Sequence, residues 1–389
     1  MRSATTGLAC LAATLLAATP ALAQGSIKIG VIMSFSGQFA DPGAQIDNGI
    51  KLYMKQNGDT VAGKKIELIR KDNGGVAPDA AKRLSQEAIV RDKVDMIVGF
   101  DLTPNALAAA DVSAQAKKFM VNMNAATSII TTKSPYCTRT SLTLPMVTET
   151  LGAWAAKNGV KKAYTMVSDY GPGHDSEGGF HRAFKAGGGE IIGSVRMAVA
   201  NPDFSAYVQR AKDLNPESIF VFVPAGAQPA AIAKAFAERG VNPKTIKVMG
   251  TGELTDDSAI KQMGEAALDV ITAWHYDHNH DSKMNKDFVA AFRKEANGVN
   301  PNFLAVGGYD GMHLIYESLK KTAGKTDGDA LIAAAKGMKW ESPRGPVSID
   351  PETRDIIQTI YIRRVQKVGN EIVNVEIDTI KDVKDPTHK

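Results

Sequence analysis

The segment Ile27–Met33 reads IKIGVIM and is followed by SFSG at residues 34–37, a succession that indicates the fold of this chain. The first stretch is apolar and β-branched over a length typical of a buried strand. Serine and glycine then interrupt the pattern, and apolar residues recur at helical spacing up to residue 56: Ile46, Ile50 and Tyr53. A strand, a polar turn and an amphipathic helix begin a βαβ unit, so the segment predicts an α/β fold.

The same alternation continues along the chain and predicts two series of parallel strands. Proline in the first turn of a helix lacks only an N–H that would have no partner there, so Pro78 and Pro104 indicate helix starts between the first strands. We therefore expect two doubly wound parallel-sheet lobes. Further strands are expected at Lys65–Arg70, Val94–Val98, Phe119–Met123, Ala163–Val167, Glu190–Val195, Ile219–Val223 and Lys247–Met249.

The length of the chain, 389 residues, also favours two lobes. A single hydrophobic core stops growing at about 250 to 300 residues. Helical patterns at Asp287–Ala296 and Tyr309–Lys321 and a strand-rich tail at Ile356–Val365 are expected to return to the lobes. No low-complexity linker separates the halves, which predicts several short crossings. The expected N-terminal lobe comprises residues 24–145 and 275–345, and the expected C-terminal lobe comprises residues 146–274 and 346–389.

The N-terminal residues predict export. Arg2 precedes the apolar stretch Leu8–Ala18, which is too short to span a bilayer, and Ala21-Leu22-Ala23 is a small-x-small cleavage pattern. We expect residues 1–23 to be a signal peptide cleaved after Ala23, and the mature protein to be periplasmic. Cys10 would leave with this segment, so Cys137 would be the one mature thiol and no intramolecular disulfide would form.

Charge and motif content argue against several classes of function. Lysine and arginine are scattered and the formal net charge is only +4, so nucleic acid is not an expected partner. The stretch Gly58–Lys65 approaches a phosphate-binding loop, but Lys65 occupies the position of the magnesium-binding hydroxyl and the stretch leads from a helix into a strand. We interpret it as a turn and expect no nucleotide cofactor.

Two polar clusters also have plain structural interpretations. His275, His278 and His280 lack the cysteines or the H-E-x-x-H spacing of common zinc sites, so no metal is expected. The residue types of a hydrolase occur in His174–Glu177, but all within one short stretch and without G-x-S-x-G. The start of a helix explains that stretch more simply, and the sequence predicts a protein that is not an enzyme.

Ligands of open parallel sheets bind beyond the carboxyl ends of the strands. Two such lobes facing each other would form a cleft between them. The segments that leave the predicted strands are short, polar and rich in glycine, as cleft loops are expected to be. These segments are Ser34–Pro42, Phe100–Asn105, Asn124–Ser128, Ser168–His174, Pro224–Gln228 and Thr251–Thr255.

Over essentially its whole mature length the sequence resembles the leucine/isoleucine/valine-binding family of periplasmic proteins, which serve ATP-driven importers. The order and spacing of several short segments carry the resemblance: Ile29-Gly30-Val31, Ser36-Gly37, Gly49–Leu52, Ile66–Asp72, Ile97-Val98-Gly99, Asn124–Thr127, Asp203-Phe204-Ser205 and Tyr309-Asp310. The resemblance implies a type I periplasmic binding fold, a non-catalytic role and a membrane permease as partner. We expect a monomer.

The resemblance also implies positions for the ligand. Thr103 matches a hydroxyl that meets the ligand carboxylate, and Ala125 and Thr127 match the next loop, whose carbonyl accepts from the ligand ammonium and whose threonine holds the carboxylate. Hydroxyls and helix-start N–H groups bind anions without a counter-charge, which agrees with this assignment. The family's amine-pairing acid falls on Gly252, and the nearby carboxylate is Glu253.

The remaining expected wall of the cleft comes from Tyr170 and the loop at Ala225, with aromatic surface from Phe39 and Phe100. The predicted function is therefore capture of a small apolar or aromatic carboxylate for an ABC importer. A branched-chain or other hydrophobic amino acid is the first candidate ligand. Aromatic or other non-amino organic acids, and a role as a soluble sensor subunit, remain alternatives.

Overall fold

The computed structural model describes residues 25–387, so the expected signal peptide lies outside the described residues. The N-terminal lobe is built on a six-stranded sheet in which β2 pairs antiparallel with β3 and the other strands are parallel, in the order β2-β3-β1-β4-β5-β6. Its strands are β1 (Ile27–Met33), β2 (Thr60–Val61), β3 (Lys64–Asp72), β4 (Met96–Gly99), β5 (Phe119–Asn122) and β6 (Cys137–Arg139). The helices along this part are α1 (Ala40–Asn57), α2 (Pro78–Val90), α3 (Thr103–Ala116) and α4 (Ile130–Lys133).

The C-terminal lobe repeats this architecture around a nine-stranded sheet. Its first part contains α5 (Leu144–Lys157), β7 (Lys162–Ser168), α6 (Gly171–Ala186), β8 (Glu190–Met197), α7 (Phe204–Asp213), β9 (Ser218–Phe222), α8 (Gln228–Glu238), β10 (Lys247–Thr251), α9 (Asp257–Met263) and β11 (Ile271–Trp274). Strands β8, β7, β9, β10 and β11 are parallel neighbours in that order. Central strands such as β9 are buried throughout, which explains their uninterrupted apolar sequences.

The chain then returns to the first lobe and crosses once more. Helices α10 (Lys283–Glu295), α11 (Phe303–Lys321) and α12 (Gly328–Ala335) pack on the first lobe, where α11 lies against α1. The strands β12 (Lys339–Ser342), β13 (Gly345–Ile349), β14 (Ile356–Val368) and β15 (Glu371–Val383) extend the second sheet antiparallel to their neighbours. Two doubly wound α/β lobes joined by three crossings confirm the predicted fold class.

One predicted boundary is wrong. The sequence predicts residues 339–345 in the N-terminal lobe, but Lys339–Ser342 pairs with Gly345–Ser348 as a hairpin of the second sheet. The third crossing therefore precedes Lys339. The backbone N–H and C=O groups of this short hairpin form their hydrogen bonds within the second sheet. The hairpin therefore belongs to the C-terminal lobe, although the helix before it packs on the N-terminal lobe.

Buried polar bonds join the crossing segments to one another. Arg344 is fully buried, and its guanidinium contacts Asp310 of α11 at 2.6 Å. The same guanidinium donates to the carbonyl oxygens of Thr140 at 2.8 Å and Ser141 at 3.1 Å, in the first crossing. Because one charged side chain ties segments from three parts of the chain, it fixes how the two lobes meet.

Candidate functional site

A cavity lies between the two lobes at the carboxyl ends of their parallel strands. The cavity contains about 570 Å³ of space not occupied by protein atoms, and part of this space is open to solvent. The lining is contributed by both lobes and is mainly apolar, with a few polar side chains, as is usual for small-molecule sites. Its residues include Phe39, Asp101, Leu102, Thr103, Asn124, Ala125 and Phe303 from the first lobe and Tyr170, Phe222, Pro224, Ala225 and Glu253 from the second.

The first lobe contributes the hydroxyl of Thr103 to this lining, and Thr127 is not among the lining residues although its hydroxyl contacts that of Thr103. Thr103 is the first residue of α3, and its Oγ1 lies 3.1 Å from Oγ1 of Thr127, which follows β5. Both side chains are buried. The first N–H groups of a helix have no intrahelical partners and carry partial positive charge, so the start of α3 can hold an anion beside these hydroxyls.

Ala125 lines the cavity, but its backbone groups already have partners within the first lobe. Its N–H donates to the carbonyl of Phe100 at 2.9 Å, and its own carbonyl accepts from Asn122 Nδ2 at 2.6 Å. A carbonyl retains a second lone pair for a ligand donor. The expected ammonium contact at Ala125 would therefore be shared with Asn122.

The second lobe meets the hydroxyl pair directly at the first residue of α6. A β-carbon at Gly171 would lie 3.2 Å from Thr127 Oγ1 and 3.7 Å from Thr103 Cγ2. The preceding residue, Tyr170, lines the cavity and packs against Phe222 with 6.1 Å between the ring centroids. The two lobes are thus in contact across the cleft, which is the closed arrangement of such a fold.

Glu253 faces the cavity from the second lobe. It lies in a short 3-10 helix after β10, is only 8% exposed, and its Oε2 has no hydrogen-bond partner among the described residues. Burial raises the pKa of this carboxyl to about 7, partly offset by the Thr251 hydroxyl and the charge of Arg363. The carboxyl of Glu253 in turn adds to the effect of burial in raising the pKa of the Tyr170 hydroxyl.

The one-residue offset of this acid from its expected position has a steric cause. A β-carbon at Gly252 would lie 2.0 Å from the indole ring of Trp274, so only glycine fits there. The next position, Glu253, has room for a side chain on the cavity side. The carboxyl is therefore displaced along the chain by one residue but still reaches the cleft.

Phe100 does not line the cavity, in contrast to the expectation from sequence. Its side chain is fully buried in a separate cluster of the first lobe with Ile32, Ile97 and Ala106. The backbone at Phe100 is left-handed, with φ of 61°, directly after Gly99 with φ of 106°. This turn directs the ring into the core and leaves the next residue, Asp101, at the cavity. Phe39 does line the cavity, as expected.

Asp101 is a polar lining residue that does not belong to the set predicted from the sequence. It follows β4, two residues before Thr103, and is 4% exposed. The sequence predicts Phe100–Asn105 as a cleft loop, and an acidic residue within such a loop is the feature from which Asp101 could have been predicted to line the cavity. Lysine, arginine and histidine are all missing from the described lining of the cavity.

Several residues of the other polar clusters have internal partners, but the ring nitrogens of His275 and the hydroxyl of Ser176 are buried without a hydrogen-bond partner among the described residues. His174 contacts Asp169 at 2.7 Å, and Asp175 accepts from the backbone N–H of Ser128 at 3.1 Å. His280 contacts Glu376 at 2.9 Å. Within residues 25–387 no group of three or more metal-ligating side chains is arranged to hold an ion, and no helix is long and apolar enough to cross a membrane.

Two α/β lobes that close on a cavity at their strand ends define a solute-binding protein of the cleft type. A sequence model of the periplasmic binding protein family matches residues 26–370, and the chain belongs to this family. A relative from Brucella melitensis, Leu/Ile/Val-binding protein homolog 6, is 42% identical over 381 residues, which cover 97% of each chain.

Two solved structures of ABC-transporter solute-binding proteins from Rhodopseudomonas palustris are also similar. The protein of strain BisB5, in complex with 3,4-dihydroxybenzoic acid, is 56% identical with a TM-score of 0.90, covering 94% of this chain and 99% of its own. The protein of strain HaA2, in complex with p-hydroxybenzoic acid, is 41% identical with a TM-score of 0.90, covering 93% and 99%. The chain is accordingly a substrate-binding protein of an ABC transporter and not an enzyme.

Proposed function

We propose that this protein captures a hydroxylated benzoate in the cleft between its lobes and delivers it from the periplasm to the permease of an ABC importer. The observation that carries the proposal is the buried Glu253 carboxyl, whose Oε2 has no partner among the described residues and which lies at a cavity with aromatic walls. The ring hydroxyl of the ligand would bind to this carboxyl.

The carboxylate of the ligand is assigned to the other side of the site, at the first lobe. Thr103 and Thr127 supply two hydroxyls 3.1 Å apart, and the start of α3 supplies helix-end N–H groups. An anion held in this way needs no cationic side chain, and none occurs in the described lining. Hydrogen bonds to a charged group contribute about 1.5 to 3 kcal/mol each.

The aromatic ring of the ligand would lie between apolar surfaces from both lobes. Phe39 and Phe303 belong to the first lobe, and Tyr170 and Phe222 belong to the second. Aromatic rings favour edge-to-face or offset contacts with one another, which a flat ligand can make with several walls at once. Contacts to both lobes favour the closed form, because a ligand shifts a conformational equilibrium only by its differential affinity for the two states.

A hydrophobic amino acid is the second candidate, since a buried Glu253 could also pair with an ammonium. Two features favour the hydroxybenzoate. The raised pKa, about 7, lets the Glu253 carboxyl lie at the cavity without a cationic partner, and the Ala125 carbonyl already accepts from Asn122. The similar protein from strain BisB5 was solved with a dihydroxybenzoate, in agreement with this choice.

Isothermal titration calorimetry on the mature protein tests the proposal with 4-hydroxybenzoate, benzoate and leucine as matched ligands. We expect 4-hydroxybenzoate to bind, and Glu253→Gln to weaken it about tenfold while leaving benzoate almost unchanged. The exposed Glu265 of the same lobe provides the control variant Glu265→Gln, which should change neither ligand. Tight binding of leucine that is lost in Glu253→Gln, without binding of 4-hydroxybenzoate, would reverse the assignment.

A further inference from the structure

Asp101 holds a second buried carboxyl at the same cavity, on the opposite lobe from Glu253. Its Oδ2 accepts from the backbone N–H of Ser34 at 3.2 Å, and its carbonyl oxygen accepts from Asn124 Nδ2 at 2.6 Å. These bonds fix the side chain and the backbone of Asp101. The remaining carboxyl oxygen, Oδ1, is buried and has no hydrogen-bond partner among residues 25–387.

The backbone before Asp101 is strained in a way that serves this placement. Phe100 has φ of 61°, a left-handed conformation that is unusual for a bulky residue, and Gly99 before it has φ of 106°. A β-carbon at Gly99 would lie 2.9 Å from the carbonyl oxygen of Ile32. Strained backbone of this kind persists only where surrounding structure maintains it, and it concentrates at ligand-binding sites.

An unpartnered carboxyl oxygen is costly in a buried site, so it calls for a donor from the ligand. Burial raises the pKa of Asp101 above its ordinary value, and the hydrogen bonds from the hydroxyl and N–H of Ser34 offset this only in part. A benzoate without ring hydroxyls supplies no donor, whereas a phenolic hydroxyl does.

We propose that Asp101 is a specificity-determining residue that accepts a hydrogen bond from a second ring hydroxyl, so that the cavity is matched to dihydroxybenzoates. The inference rests on the proposed function, in which Thr103 holds the carboxylate and Glu253 binds one hydroxyl. Asp101 and Glu253 line the same cavity from opposite lobes. Two neighbouring hydroxyls would then bind one carboxyl from each lobe and link the lobes in the closed form.

Calorimetry with 3,4-dihydroxybenzoate and 4-hydroxybenzoate, which differ only in the 3-hydroxyl, tests this assignment. In the wild type we expect the dihydroxy ligand to bind about tenfold more tightly. In Asp101→Asn this ratio should fall close to one, because the change removes the charge from the acceptor and keeps the shape of the side chain. Binding of 4-hydroxybenzoate itself should change little.

The exposed Asp72 supplies a matched control. It accepts from the backbone N–H of Phe35 at 2.9 Å, next to the Ser34 N–H that Asp101 uses, but it does not line the cavity. Asp72→Asn should therefore retain the wild-type ratio. Thermal unfolding of each variant establishes that it is folded.

The outcomes separate the inference from the function on which it rests. A ratio near one in the wild type, or a tenfold ratio that persists in Asp101→Asn, would overturn the role of Asp101 while hydroxybenzoate binding stands. The wild-type ratio tests this role even if Asp101→Asn does not fold. Failure of both ligands to bind the wild type would overturn the proposed function together with the inference.

Discussion

The hydroxyls of Thr103 and Thr127 lie 3.1 Å apart although they follow different strands of the first lobe, and Gly171 of the second lobe packs against both. Neither residue carries charge, so the pair can approach a ligand carboxylate without the desolvation cost of a buried cation. Under the proposed function, this contact between the lobes would couple closure to ligand binding.

Replacing either threonine of the pair by alanine should weaken binding of the carboxylate ligand by about 1.5 to 3 kcal/mol. Because the two hydroxyls contact each other, the double variant should lose less than the sum of the single losses. Calorimetry with 4-hydroxybenzoate measures each value. Thr150→Ala is the control, since the Thr150 hydroxyl donates to the Met146 carbonyl within α5. Unchanged affinity in both single variants would contradict the assignment.

A methyl group at the start of α6 should hinder closure. In Gly171→Ala the added carbon would lie 3.2 Å from Thr127 Oγ1, so the lobes must separate slightly or the threonine must move. We expect weaker ligand binding, and a larger radius of gyration by small-angle scattering in the presence of ligand. Gly178→Ala on the same helix faces only the flexible end of Arg182 and should behave like the wild type. If Gly171→Ala binds ligand as tightly as the wild type and reaches the same radius of gyration with ligand, this contact does not limit closure.

The carboxyl of Glu253 should make the stability of the protein depend on pH. Burial raises its pKa from 4.5 to about 7, so the folded state binds the proton more tightly than the unfolded state does. Its contribution is fully present below about pH 4.5 and is lost as the pH rises through about 7. Thermal unfolding between these values should show the wild type losing stability relative to Glu253→Gln. If the difference in Tm between wild type and Glu253→Gln does not change with pH, Glu253 has the same pKa in the folded and unfolded states.

Removal of one partner from the buried ion pair between Arg344 and Asp310 should strongly destabilise the folded protein. Arg344→Met leaves Asp310 buried without its guanidinium partner, and loss of one member of a buried pair costs about 3 to 5 kcal/mol. Urea unfolding of the unliganded protein measures the change. Lys320→Met removes a half-exposed partner of Glu317 and should cost less than about 1 kcal/mol. Similar losses in the two variants would refute the importance of the buried pair.

The sequence predicts most of this fold because each lobe alternates short apolar strands with amphipathic helices. It also places Thr103, Tyr170 and Ala225 in loops that line the cavity, since loops at strand ends converge in such sheets. The hairpin Lys339–Ile349 is misassigned in part because alternation alone does not select the sheet that a short strand joins. Its link to the second sheet is the pairing of Val347–Ile349 with β14.

The errors within the site come from local backbone geometry. The left-handed conformation of Phe100 turns its ring into the core and leaves Asp101 at the cavity, and a sequence pattern does not reveal such a turn. The position of Glu253 depends on the indole of Trp274, which is 21 residues away in the sequence and excludes any side chain at Gly252. Long-range steric contacts of this kind decide which residue reaches a cavity once the loop has been identified.

The most direct test of the central claim is a crystal structure of the mature protein in complex with 4-hydroxybenzoate. We expect a closed cleft in which the ligand carboxylate contacts the hydroxyls of Thr103 and Thr127 and the ring hydroxyl contacts Glu253. A ligand bound with its carboxylate away from the threonine pair, or a ring hydroxyl that does not approach Glu253, would contradict the proposed function.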